Sequence, residues 1–433
     1  MTEQTFQQSL FAELHNRPFP MLNSPASLSQ MIRLAPGDPV AELQHIAALA
    51  ARYSAAMPEA GATCYYQRLG EFEFRWERHT EFSSYIVILP RTESTPFSLP
   101  AVQVLPADWL ASLSGSMIGG DHIELRPAPA QQPESAVLHQ HFEGHRLIGS
   151  RVLDNEATLW TALREHSDGF CRTLIFMANE DPCEGGRLVR SLLELFAYRN
   201  LTLLALPLAR DLIPEVSRME LELATLTERL TAIGSFADEK VLLEQLSELA
   251  AQLEGKLSEN TFRFAATEAY YQLTEDRLRE IREQPLENLR TLQQFHYRRF
   301  RPGFSTCQSV RSRLNELSLR VNRSSGLLRT RVDLMLESQN QNLLRSMDRR
   351  AKLQLRMQQT VEGLSIIAMT HYALSLLGHI LAGIPEHALP LAKEAIVACA
   401  TPVTFAAAWL SVRRIRRQFQ QADSRADNPR FRS

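Results

Sequence analysis

Ionisable and polar side chains gather at five places in this chain, and each spacing points to a different chemistry. The segment FEFRWERHTEF, Phe72 to Phe82, alternates rings with charges. With the two-residue period of a strand, Phe72, Phe74 and Trp76 share one face, and Arg75, Glu77 and His79 share the other. That second face is a candidate cytosolic binding surface, although charges also pave the solvent side of many half-buried sheets. Upstream, Glu13-Leu14-His15-Asn16-Arg17-Pro18 offers Arg17 for an anion or an inter-domain contact. His139, His141 and His145 lie close together, but HFEGH lacks the HExxH spacing that sets two histidines and a base on one helix face, and no metal is assigned. Glu184-Gly185-Gly186-Arg187 opens a helix after a strand, where backbone N–H groups can meet an anion. It lacks the second glycine and the Lys-Ser/Thr pair of a Walker A loop. With no GxSxG, Rossmann or kinase signature, the sequence assigns no catalytic residue and no cofactor.

The fifth place lies near the C-terminus. On a wheel of about 100° per residue, Leu364, Ala368, His371, Tyr372, Ser375, Gly378, His379 and Ala382 fall on one side of an apolar helix. Small and polar residues on a shared face let helices approach and hydrogen-bond, or line a wet path. Upstream, Gln339, Asn340, Gln341 and Asn342 supply amides, which serve as neutral ligands for a hydrated ion or fix the register of packed helices. The candidate pore or seam is therefore Asn342, Ala368, His371, Ser375 and His379, with a divalent cation as the candidate partner. His371 and His379, with Ser375 midway, also suggest a proton or metal relay.

The elements that must position these residues divide the chain. Residues 1–207 read as a cytosolic α/β domain. A helix is expected from Asp38 to Tyr53, and strands at Cys64–Leu69, Phe72–His79, Ser84–Leu89, Ile123–Leu125, Leu147–Val152, Thr173–Met177 and Leu201–Leu206. Helices at Glu156–Glu165 and Gly186–Arg199 interleave with the later strands. Residues 208–363 read as a long-helix, coiled-coil stalk in which Leu242, Leu246, Leu249, Leu253 and Leu257 form a seam. Leu314, Val321, Leu328, Met335 and Asn342 recur every seven residues, which fits self-association or packing on the chain's own helical hairpin. A helix from Ser305 to Gly363 would reach roughly 90 Å.

Residues 364–412 read as a transmembrane hairpin, and 413–433 as a basic cytoplasmic tail. The stretch Leu364 to Ile384 has the roughly 20 apolar residues that a bilayer requires, and Ala395 to Val412 is a weaker second span containing Pro402. Arg345, Arg349, Arg350, Lys352 and Arg356 precede the first span, and Arg413, Arg414, Arg416 and Arg417 follow the second. The positive-inside rule puts both termini in the cytoplasm and the connecting loop outside, with membrane lipid as a partner. The first residues, MTEQTFQQSLFAELHN, do not read as a signal peptide. A net charge of −2 over 433 residues does not suggest a nucleic-acid binder, and five scattered cysteines fit reduced thiols.

The runs ELHNRPF, FRWERHTEF, LESQNQNLLRSMDRRAKLQLRMQQTVEGLSIIA and the terminal hairpin resemble the bacterial membrane-anchored proteins grouped as domain of unknown function 3422. That likeness covers essentially the whole chain and implies no particular reaction. In plan, the chain also resembles the CorA-type magnesium channels, which assemble as pentamers around their first membrane helix. Where that family carries Gly-Met-Asn, this chain reads Ala382-Gly383-Ile384-Pro385-Glu386, so no ion-site residue carries over.

The sequence thus predicts an α+β membrane protein with a CorA-like plan. It is expected to form a homo-oligomer and to conduct or sense a cation along the first membrane helix. The alternative is a membrane-anchored scaffold or regulator whose α/β domain binds a protein or small ligand.

Overall fold

The computed structural model describes residues 21–90, 95–131, 133–232, 235–383 and 392–426. The chain separates into two compact units, Met1–Leu328 and Arg329–Ser433. The first is an α+β unit built on a nine-stranded sheet of order β2-β3-β4-β1-β5-β8-β7-β6-β9.

Strand β1, Ala26–Leu34, lies between β4 and β5 and pairs antiparallel with both. Helix α1, Pro39–Arg52, starts where the Asp38 carboxylate accepts the Val40 N–H at 3.2 Å, a side-chain cap followed by proline in the first turn. Its buried face, Ile46, Leu49 and Ala50, packs on the sheet. Strands β2, Cys64–Leu69, and β3, Phe72–Arg78, turn through Gly70, whose φ of +65° suits a tight hairpin. Strand β4, Phe82–Pro90, the short helix α2, Ala107–Ala111, strand β5, Ser116–Pro127, and helix α3, Ser135–His141, follow.

Strands β6, Ile148–Val152, β7, Ala157–Thr161, and β8, Cys171–Met177, extend the sheet on its other side. Only β5 and β8 run parallel among the described pairs, so the alternating α/β layer expected for this region is replaced by a mainly antiparallel sheet. Two expected elements change type. Glu156–Glu165 was expected to be helical, yet its core is β7, held between β6 and β8. Leu201–Leu206, expected as a strand, is helical. It spans the end of α4, Pro182–Leu203, and the start of α5, Ala205–Ala232.

Helix α4 covers one sheet face, burying Leu188, Val189, Leu192 and Phe196 against Leu28, Ile123, Leu125 and Ile175. The opposite face is covered toward β2–β4 by α1 and α2, with Phe74, Trp76 and Trp109 in the core. Around β7 and β8 it is covered by α3, with Leu138, Phe142 and Trp160. Every strand near the middle is therefore buried on both sides.

After α6, Phe236–Glu280, a two-residue strand β9, Gln284–Pro285, pairs with β6. Helix α7, Leu292–Phe295, and a π-turn at His296–Phe300 lead into α8, Arg301–Ala382. The expected leucine seam is present: Leu242, Leu246, Leu249 and Leu253 are buried with Val216, Met219 and Leu223 of α5 and Val310, Leu317 and Val321 of α8. Leu314, Val321 and Leu328 belong to this three-helix core, so the first part of the seven-residue repeat packs on the chain's own hairpin. Met335 is half-buried and Asn342 is exposed.

The second unit contains the remainder of α8 and helix α9, Lys393–Ala426, with Pro402 inside it. Three described helices are long and apolar enough to cross a membrane: Pro182–Thr231, Leu292–Ala382 and Ala395–Arg414. The most apolar window of the first is 56% buried, against 11% and 0% for the other two, which marks it as core of the α+β unit.

Candidate functional site

Strand β3 carries the expected alternation. Phe72, Phe74 and Trp76 are buried on one face. The other face, carrying Arg75, Glu77 and His79, is not an open binding surface, because the sheet here is covered on both sides. Arg75 is 4% exposed and its guanidinium stacks 4.0 Å from the Tyr66 ring centroid, with burial drawing its pKa down. Tyr66 donates its O–H to Glu77 Oε1 at 2.6 Å. His79 stacks on Phe82 with ring centroids 4.2 Å apart, and its Nε2 lies 3.8 Å from Glu77 Oε2.

Glu77 and His79 line a cavity of about 40 Å³ between β1, β3, β4 and α4, together with Gln30, Ser84, Arg190, Glu194 and Tyr198. Gln30 donates to Ser84 Oγ at 2.9 Å, while its Oε1 has no hydrogen-bond partner. Glu194 is held by Arg190 at 2.8 Å and by Arg277 of α6 at 2.6 Å. This polar pocket has room for a few waters and not for an organic substrate. Arg17 lies outside the described residues.

A second polar cluster, not foreseen from the sequence, crosses the opposite face. Ser29 Oγ lies 2.8 Å from His122 Nδ1, and His122 Nε2 lies 3.8 Å from Asp168 Oδ2. Asp168 accepts from Arg172 at 2.9 Å. The order Ser-His-Asp resembles a nucleophile relay, but its geometry is architectural. Ser29 is fully buried and accepts the Val102 N–H at 3.0 Å, and 3.8 Å is too long for a histidine–carboxylate hydrogen bond. Burial lowers the His122 pKa to about 4, leaving a neutral ring stacked on Phe170 at 4.1 Å. Positions 29, 122 and 168 meet only through strand pairing, so no local motif announces them.

Beside this cluster is an open cleft of about 370 Å³ between β5, β8 and α3. Leu174 and Phe176 belong to β8, Val137, Leu138 and His141 to α3, and four prolines complete the wall: Pro25, Pro96, Pro127 and Pro133. Arg126 is the charged residue in its lining, fixed by Glu124 through Nε at 3.2 Å and Nη2 at 2.7 Å. Glu124 also accepts from Ser27 Oγ and from the Phe97 N–H.

The other sequence candidates are placed as follows. The start of α4 is served by the chain itself: Asp181 accepts the Cys183 N–H at 2.9 Å, and Leu22 donates to the Pro182 carbonyl at 2.9 Å. A Cβ on Gly185 would meet the Leu22 carbonyl at 3.2 Å, which explains that glycine by packing and not by an anion. The His141 backbone carbonyl accepts from Arg172 Nη1 at 3.0 Å, while the His145 and His166 rings lie 5.2 Å apart.

Ala368, His371, Ser375 and His379 are exposed on α8. The less exposed stripe of this segment is instead Ile366, Thr370, Leu374, Leu377 and Leu381, matched on α9 by Ala400, Thr404, Ala408 and Val412. Counting in alternating steps of four and three, Ala368, His371 and Ser375 share one line along α8. His379 lies beside that line, and Asn342 lies on the charged side of the helix.

No curated protein and no solved structure matches this chain. Residues 2–419 match the model of the family described as Protein of unknown function (DUF3422), and the chain belongs to that family.

Proposed function

We propose that this protein is a homo-oligomeric protein of the bacterial inner membrane. In this reading α8 and α9 supply a lipid-embedded hairpin, α8 gathers copies around a common axis, and the α+β unit lies in the cytoplasm. The observation that carries it is the surface of α8 beyond Leu328. Leu336, Leu343, Met347, Met357 and Val361 are all more than 40% exposed. With Asn340, Arg350 and Gln354 they follow alternating steps of four and three, the spacing of a helix seam.

Between Leu336 and Val361, Arg345, Asp348, Arg349, Lys352 and Arg356 fall on the far side, Arg350 lies on the seam and Glu337 beside it; before Leu336 the same line carries Arg329 and Asp333. The same steps run on through Leu364, Ala368, His371, Ser375 and Gly378. Exposed apolar residues at coiled-coil spacing, continuous with a small and polar membrane face, fit a parallel neighbour of the same sequence. Asn340 and Gln354 would fix its register, as single buried amides do in coiled coils.

The finer reading is CorA-like, with His371 and Ser375 forming polar rings around an axis that conducts or senses a cation. Its support is the order of parts and the polar members of the seam, not an ion-binding signature. The oligomer is tested by the particle mass of the full chain in lipid nanodiscs. A mass of several copies is expected, and a monomer would remove the reading. Cation uptake into liposomes that is lost in His371→Ala supports conduction. Uptake that is absent under every gradient leaves an anchored scaffold or regulator.

A further inference from the structure

We infer that the exposed arginines at the head of α8 form a docking surface for a single-stranded nucleic acid. The sequence supplies the first argument. From Asn288 to Asn315 there are six arginines and no Asp, Glu or Lys, in a chain whose net charge is only −2. A balanced total conceals a local excess of this kind, and the local field is what a polyanion meets.

The fold decides which of the six are available. Arg290 is half-buried, Arg311 faces Glu268 of α6 at 3.8 Å, and Arg313 is bound by Glu220 of α5 at 2.7 Å. Arg298, Arg299 and Arg301 are exposed and form no ion pair among the described residues. Glu275 of α6 shares the surroundings of the Tyr271 ring with Arg301 without pairing to it. The backbone beneath these arginines is fixed. Glu283 accepts the Leu292 and Gln293 N–H groups, the latter at 2.8 Å, and Leu292, His296, Phe300 and Phe304 are buried at steps of four. Tyr271 stacks on Phe304 at 3.7 Å and on Phe300 at 5.7 Å. With that side anchored, Tyr297, Arg298 and Arg301 are left to solvent on a rigid turn, so little backbone freedom is lost when a ligand binds them.

The neighbours of these arginines select the partner. In steps of three and four, Arg298 and Arg301 are followed along α8 by Ser305, Gln308, Ser312 and Asn315, which are exposed and line one shallow polar groove. Arginine forks followed by hydroxyls and amides are the side chains that hold phosphate and sugar. Tyr297 is 64% exposed beside them, with the Arg301 guanidinium 5.0 Å from its ring centroid, and offers a base a stacking platform. A carboxylate-rich peptide would be held chiefly by the arginines and leave the ring unused. Of the proposed function this inference uses only the cytoplasmic location, and the binding does not depend on whether the chain oligomerises or conducts.

The test uses the full chain in nanodiscs of uncharged lipid, with empty nanodiscs as the blank, and follows the fluorescence anisotropy of a labelled oligothymidylate about 20 nucleotides long. Binding is expected, and three neutralised phosphates predict a loss of roughly twentyfold in affinity between about 50 and about 200 mM salt. Arg298→Gln, Arg299→Gln and Arg301→Gln together are expected to weaken binding by about tenfold or more at an unchanged melting temperature, and Tyr297→Ala by about tenfold. Arg68→Gln, Arg146→Gln and Arg164→Gln together remove equal charge from exposed positions elsewhere on the unit and are expected to leave affinity within about twofold. Poly-glutamate and phosphatidylglycerol vesicles are expected to compete poorly. No binding by the wild type, undiminished binding in either patch variant, or an equal loss in the Arg68, Arg146 and Arg164 variant would each overturn the assignment. Displacement by either competitor at equal charge concentration would overturn it in favour of an acidic protein segment or a membrane surface.

Discussion

Trp76 donates its indole N–H to Glu42 Oε1 at 2.9 Å, deep between β3 and α1. The same carboxylate accepts the Tyr85 hydroxyl at 2.5 Å and pairs with Arg78. One buried acid thus satisfies three side chains from two strands. Glu42→Ala leaves Trp76 and Tyr85 without this acceptor and Arg78 with the Gly37 carbonyl but no counter-charge, and a loss of about 3–5 kcal/mol is expected. Glu42→Gln keeps an acceptor oxygen and loses less. Thermal melts of the two variants beside the wild type check the order, and an Ala variant as stable as the parent would contradict it.

Two buried groups near Arg199 pull stability in opposite directions with pH. Burial raises the Asp121 pKa from 3.8 to about 6, only partly offset by Arg199, so the folded chain prefers the protonated acid. Its stabilising contribution is full below pH 4 and lost as pH rises through 6. Burial and Arg199 lower the His296 pKa from 6.5 to about 3, so the fold prefers the neutral ring and loses stability as pH falls from 6.5 toward 3. Asp121→Asn is expected to raise Tm at pH 8 and to leave it unchanged near pH 4. His296→Phe is expected to flatten the acid side of the profile. Melts across that range would reveal either slope.

Gly115 takes φ +79°, and a Cβ there would meet the Leu34 carbonyl oxygen at 2.5 Å. The turn into β5 therefore excludes any side chain. Gly115→Ala is expected to cost about 1–3 kcal/mol, more than the strain-free range of glycine substitutions, and to lower Tm accordingly. Gly37, whose φ of +86° is similar but whose Cβ would meet nothing within 4 Å, is the control and should tolerate alanine better.

These residues show how far the sequence could be read. The α1 cap, the β2–β3 hairpin, the face of Trp76 and the leucine seam of α6 are local patterns, and they are legible because periodicity and capping act over a few residues. Glu156–Glu165 contains good helix formers, yet pairing with β6 and β8 makes its core a strand, a tertiary choice that local propensity does not carry. The run Leu201–Leu206 is short and apolar but for Thr202, so no period separates strand from helix. Strand β1 escaped notice because Ser27, Ser29 and Gln30 look like loop residues. They are buried to serve Glu124, His122 and Ser84. The same long-range pairing hides the Arg126 cleft and turns the Glu77–His79 surface into an interlayer pocket.

The central claim is self-association along α8, and cross-linking in native membranes tests it most directly. Single cysteines are placed at Leu343 or Met357 on the seam and at Arg349 or Lys352 on the charged side, in a chain with its own cysteines replaced, and treated with a short bismaleimide. Covalent dimers and larger species are predicted from the Leu343 and Met357 positions only. Cross-links confined to Arg349 and Lys352, or none at any of the four, would contradict the account.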